Sequence, residues 1–111
     1  MKSIFLVIFR PGSGWLPGKP LAEQPLGDHV KHHLGLFEKG IVKFAGPFTD
    51  DTGGAAVMEA SSLEEINGMI SLDPAVTNKV FAYDIHPWSL IAGERYIKPS
   101  GANDFEAAHG V

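Results

Sequence analysis

The sequence has 111 residues, 44% of them hydrophobic and only 20% charged, with a formal net charge of −4, which is enough chain for one small core and too little for two. Lys and Arg number 9 against 13 Asp and Glu, and there is no cysteine. These counts exclude an electrostatic footprint for nucleic acid or anionic lipid, a disulfide framework, a thiolate nucleophile and a cysteine-ligated metal. So low a charge content in so small a domain predicts apolar surface covered by a second copy of the chain.

Ser3 to Arg10 contains the unbroken apolar run Ile4–Phe9. It is too short for a signal-peptide core or a membrane span, so the cytoplasm is the expected compartment. Its length, its branched and aromatic content and the Pro11-Gly12 that stops it predict a strand buried on both faces. Residues 11–25 hold four prolines and three glycines and read as a long loop. The apolar tip of that loop, Trp15 with Leu16, needs a cover, either as a lid over a site or as a contact with a second subunit. Ser13 would reach a ligand if the loop folded over one.

From Pro25 to Lys39 the pattern is helical, stopped by Gly40. Leu26, Val30, Leu34 and Phe37 form one apolar stripe, with His29 and His33 along its border and His32 on the outer surface. Ile41–Ala45 and Ala55–Ala60 read as strands joined by the turn residues 46–54, which account for the adjacent carboxylates Asp50 and Asp51. Ser62 with Glu65 makes a capping box for a helix over Leu63–Leu72 that ends at about Asp73, ahead of Pro74. Val80–Trp88 reads as the last strand.

The order strand, helix, strand, strand, helix, strand predicts an α+β, ferredoxin-like βαββαβ domain. Its four-stranded antiparallel sheet carries both helices on one face. The other face is expected to meet the same face of a second subunit in a homodimer. The domain is expected over residues 1–98, followed by a small, polar C-terminal tail over 99–111.

At the end of the second helix, Asp73 would face the negative end of that helix's dipole, a position that costs roughly 0.3–1 kcal/mol and asks for a compensating partner. Antiparallel helices bring it beside the start of the first helix, where His29 sits. A His–Asp pair fixes the imidazole tautomer and suits it to acid/base work near neutral pH. The plainer alternative has Asp73 capping the turn before Pro74 and His29 as a border residue. His29 and His33, at i and i+4, also have the spacing of a chelating pair, but the third ligand would have to be His86, and no metal is expected. The loop PGSGWLPGK lacks both Walker and dinucleotide spacing, so no nucleotide cofactor is expected.

His29 with Gly40 eleven positions later, Gly46-Pro47-Phe48 followed by Asp50-Asp51 and Gly53-Gly54, the Ser62-Leu63-Glu64-Glu65 helix start, Asp73-Pro74 and Pro87-Trp88 make an ordered pattern. Over residues 4–88 it resembles the YciI-like (YCII) family. That resemblance implies a dimeric α+β barrel similar to muconolactone isomerase, with a His–Asp pair in a cleft that falls on His29 and Asp73. One branch of the family removes chloride from chlorinated hydroxyhydroquinones.

The expected protein is therefore a small-molecule enzyme of lyase, isomerase or dehydrochlorinase type, working on a cyclic or aromatic substrate without a cofactor. His29 is its acid/base and Asp73 its orienter, with Trp15, His33, Gly46, Pro47, Phe48 and Trp88 around the substrate. The alternative is a non-catalytic ligand-binding or protein-interaction module of the same fold.

Overall fold

The computed structural model describes residues 2–91. The elements run in the order β1 (Ser3–Pro11), α1 (Gly27–Glu38), β2 (Val42–Pro47), β3 (Gly54–Ala60), α2 (Leu63–Ile70), the single turn α3 (Pro74–Thr77) and β4 (Phe81–Pro87), with a 3₁₀ turn at Leu21–Glu23. Every strand pairing is antiparallel and the sheet order is β2-β3-β1-β4, the α+β sheet that the element order predicts. No helix among the described residues is long and apolar enough to cross a membrane. The last part of the expected domain, to residue 98, and the expected tail, 99–111, lie outside the described residues.

Alternation along the strands decides which face is inside. Phe5, Val7 and Phe9 are buried, while Ile4, Leu6 and Ile8 between them are half-buried. The inner residues of β1 pack with Ala56, Met58, Ala60 and Phe81 of the neighbouring strands and with Leu36, Ile66, Ile70 and Ala75 of the helices. Each large apolar side chain in this core contributes roughly 1.5–3 kcal/mol. Within one chain, then, the first strand is fully buried on one face only. The opposite face carries Ile4, Leu6 and Ile8 beside Val57, which pairs with both Leu6 and Phe44. Phe44 is 74% exposed there.

The second helix starts where its capping signal places it. Ser62 Oγ accepts the Glu65 N–H (3.1 Å) and Glu65 Oε2 accepts the Ser61 N–H (3.2 Å), the reciprocal bonds of a capping box with the return bond displaced by one residue. It stops at Ile70, two residues before the expected Leu72. Asp73 does not close α2; it opens α3. Its side chain accepts the Ala75 N–H (2.9 Å) with Pro74 in the first turn, because Asp followed by Pro is a helix-start signal as much as a stop.

The Pro/Gly-rich loop is held from two sides. Gly12 and Gly14 donate their N–H groups to Val80 O (2.8 Å) and Lys79 O (2.7 Å). The buried Gln24 amide donates to Leu16 O and Lys19 O, and its oxygen accepts the Leu16 N–H. Between β2 and β3, Gly53 has φ +136°, and a Cβ there would stand 2.0 Å from Phe9 O. That close approach draws the hairpin against the end of β1.

Candidate functional site

The first helix does not turn its apolar stripe to the core. Val30, Leu34 and Phe37 are exposed, His33 and Leu36 are buried, and His29 is half-buried. At about 100° per residue this is a rotation of one position from the orientation that the stripe predicts. The histidines face inward, and the stripe lines a cleft of about 480 Å³. Phe9 and Phe81 line its inner end beside His29, with the stripe on one side and Ala45, Gly46 and Pro47 on the other. That volume is in the range of small-molecule pockets, about 300–1,000 Å³. His32, expected on the outer surface, is half-buried, and its Nε2–H donates to Met69 O (2.9 Å), tying α1 to α2.

The N-cap of α3 brings Asp73 beneath this helix, where it is fully buried. His29 Nδ1 lies 2.6 Å and His33 Nε2 2.9 Å from the same oxygen, Oδ2, while Oδ1 accepts the Ala75 N–H. Burial by itself pushes the Asp73 carboxyl up. Hydrogen bonds from His29 and His33, the His29 charge and the Ala75 amide more than offset it and hold the group well below the usual carboxylate range. An ionised carboxylate only accepts, so both imidazoles donate. His29 thus carries its proton on Nδ1 and leaves Nε2 to the cleft, and His33 carries its proton on Nε2. Edge contacts from Phe9 to both rings (5.3 and 5.5 Å between centroids) and from Phe81 to His29 (5.3 Å) hold these orientations.

Ligand atoms of His29, His33 and Asp73 lie within 4.8 Å of one another, a donor set that zinc accepts on composition. His86 takes no part in it; it pairs with Leu6 on β4. A cation on His33 Nε2 would force that ring's proton onto Nδ1, which is buried with no partner among the described residues. An unpaired buried donor costs about 1–3 kcal/mol, and metal-bound histidines normally give that proton to an acceptor. The hydrogen-bonded trio leaves only a bare lone pair there, so these residues fit a proton-sharing group better than a metal centre.

The structure brings His29, His33 and Asp73 together and puts Gly46 and Pro47 in the cleft wall. Trp15 lies behind the wall, its ring on Phe81 (5.9 Å between centroids). Phe48 is past the wall in the hairpin turn, its N–H on Gly53 O (2.8 Å). Trp88 is far from the cleft. Its N–H donates to Ile4 O (2.9 Å), five residues along β1 from Phe9, which at about 3.3 Å per residue is roughly 16 Å. The antiparallel register sets Phe9 against Tyr83 and Phe5 against Pro87, so β4 leaves the site before it reaches Trp88. Ser13 is exposed and lines no part of the cleft, and Asp50 accepts the Thr52 N–H within its turn.

Among the described residues no Lys, Arg, Asp or Glu lines the cleft, and Gln24, the remaining polar side chain there besides the two histidines, has its amide engaged by the loop. The residues that sequence reasoning missed are Phe9 and Phe81, which read as ordinary strand core, and the stripe Val30, Leu34 and Phe37, which reads as a buried face.

The family model for the YCII-related domain matches residues 1–89. The chain is 45% identical over 67 residues, 57% of this chain and 79% of the relative, to the uncharacterized protein YjpA of Bacillus subtilis (strain 168). Its structure is similar to that of 5-chloro-2-hydroxyhydroquinone dehydrochlorinase (TftG) from Burkholderia phenoliruptrix AC1100 in complex with 2,5-dihydroxybenzoquinone. The two share 26% identity and a TM-score of 0.56, over 78% of this chain and 93% of that one. The chain belongs to the YCII-related domain family.

Proposed function

We propose that this protein is an acid/base enzyme of lyase, isomerase or dehydrochlorinase type acting on a small, neutral cyclic or aromatic molecule. The observation that carries this reading is His29, whose Nδ1–H is fixed on a buried carboxylate while Nε2 is left to an apolar cleft. Nε2 takes a proton from a substrate O–H or C–H, and the imidazolium that forms sits against the Asp73 anion. The proton then returns to another substrate atom, or a leaving group departs and the proton is lost to solvent. Such a group supplies about 10²–10⁴-fold. The likeness to TftG supports the same chemistry at family level.

The lining supports a neutral ring. A phosphate or carboxylate would find His29 as its only counter-charge among the described lining residues, whereas an apolar ring packs on Phe9, Phe81 and the stripe. A homodimer goes with this proposal, supported by the apolar outer face from Ile4 to Phe44.

The test offers hydroxyhydroquinones with and without a chlorine substituent, following chloride release and the ring spectrum, alongside calorimetric binding of the unchlorinated hydroxyhydroquinone, which is uncharged at neutral pH. Turnover is the expected result. Binding with no turnover of any ring offered favours the non-catalytic ligand-binding module, and neither binding nor turnover contradicts both.

A further inference from the structure

We infer that His33 is a positioning residue, which in its Nε2–H tautomer locks the Asp73 carboxylate so that Oδ2 faces His29 Nδ1 and His29 alone exchanges a proton with substrate. The catalytic consequence rests on the acid/base reading above; the tautomers do not.

A carboxylate at a helix N-cap is free to rotate about its side-chain bonds unless more than one donor holds it. Here the Ala75 N–H takes Oδ1 and His33 Nε2–H takes Oδ2 (both 2.9 Å), so two bonds from two elements define the plane before His29 is considered. The i, i+4 spacing on α1 sets the two imidazoles one turn apart, 4.4 Å between centroids, which is why both reach one oxygen.

His33 borders the cleft but offers a ligand no free polar atom. Its side chain is 8% exposed, Nε2 is engaged by Asp73, and Nδ1 is buried with no partner among the described residues. Only carbon atoms of the ring are left to the wall. A leucine would fill this space without burying an unpaired nitrogen, so packing does not account for an imidazole here; the bond to Asp73 does. The same unpaired Nδ1 excludes a donor role in that direction, because a proton placed there would have no acceptor. His33 therefore belongs to the machinery that aims His29 and not to the substrate contacts expected from sequence.

The experiment is ¹⁵N NMR of histidine-labelled full chain, for the wild type, His33→Gln and His33→Leu. Gln keeps an N–H₂ donor of similar reach and Leu removes it. The expected wild-type spectrum shows His29 protonated on Nδ1 and His33 on Nε2. His33→Gln keeps the His29 tautomer. In His33→Leu, solvent exchange of the His29 Nδ1 proton accelerates by about tenfold or more, the loss of one buried hydrogen bond's support, and a second His29 tautomer appears.

Where a ring substrate is turned over, kcat falls in His33→Leu with KM within about twofold, and His33→Gln restores it, a split expected of lost orientation and not of lost binding. An unchanged His29 tautomer and exchange rate in a folded His33→Leu overturns the proposal. So does a wild-type His33 protonated on Nδ1, a result that needs no variant to fold. The expected tautomers without turnover of any ring leave this proposal standing and contradict the proposed enzyme.

Discussion

His29 Nδ1 and Asp73 Oδ2 meet at 2.6 Å across 44 residues of sequence, one on the first turn of α1 and the other at the start of α3. The pair gives the imidazole a fixed direction and gives the carboxylate a reason to remain charged while buried.

Asp73→Asn should disturb orientation more than shape. The amide can donate where the carboxylate only accepts, so His29 loses its single tautomer, and loss of the tautomer-fixing carboxylate lowers kcat by about 10²–10⁴-fold in comparable sites. Asp73→Ala removes the α3 cap as well and should lower stability by about 0.5–2 kcal/mol from the cap alone, read by urea unfolding.

Acid should weaken the fold through the same residue. The Asp73 pKa is depressed in the folded chain, so the stability it contributes is fully present above the unfolded value, about 3.9, and is lost as pH falls through the lower folded value. The gap in unfolding free energy between wild type and Asp73→Asn should narrow as pH falls below about 4. A gap that widens on acidification would contradict the sign.

Gly53→Ala should be severe. The residue sits at φ +136° with its missing Cβ 2.0 Å from Phe9 O. A side chain there must displace the backbone at the end of β1, and the expected loss is about 2–4 kcal/mol. Gly46→Ala, with open space around it, is the control for the same chemical change on the cleft wall.

Phe44→Glu tests the outer sheet face. Among the described residues Phe44 is no part of the core, so the variant should still fold while the sedimentation mass falls from about twice 11.9 kDa to 11.9 kDa, and its unfolding midpoint should lose the dependence on protein concentration that a dimer confers. A wild type already at 11.9 kDa at micromolar concentration would contradict the dimer.

The strands were legible because short apolar runs and turn residues such as Pro11-Gly12 mark them locally, and the antiparallel sheet because the order of strands and helices predicts it. The orientation of α1 was not. Leu26, Val30, Leu34 and Phe37 make the stronger apolar stripe, and a helix is expected to bury it. This helix buries His33 and turns the stripe to the cleft, a departure from pattern of the kind that concentrates at functional sites. The proximity of Asp73 to His29 was legible from helix order, but its local role was not, since Asp-Pro closes one helix and opens the next with the same residues. Trp88 was misplaced because distance along β4 becomes distance from the site only once the register with β1 is known.

The most direct test of the account is turnover of a chlorinated hydroxyhydroquinone by His29→Ala beside Lys31→Ala, an exposed change one helical position beyond Val30. The account predicts that His29→Ala loses about 10²-fold or more in kcat while Lys31→Ala matches the wild type. Equal rates in His29→Ala and the wild type would contradict it.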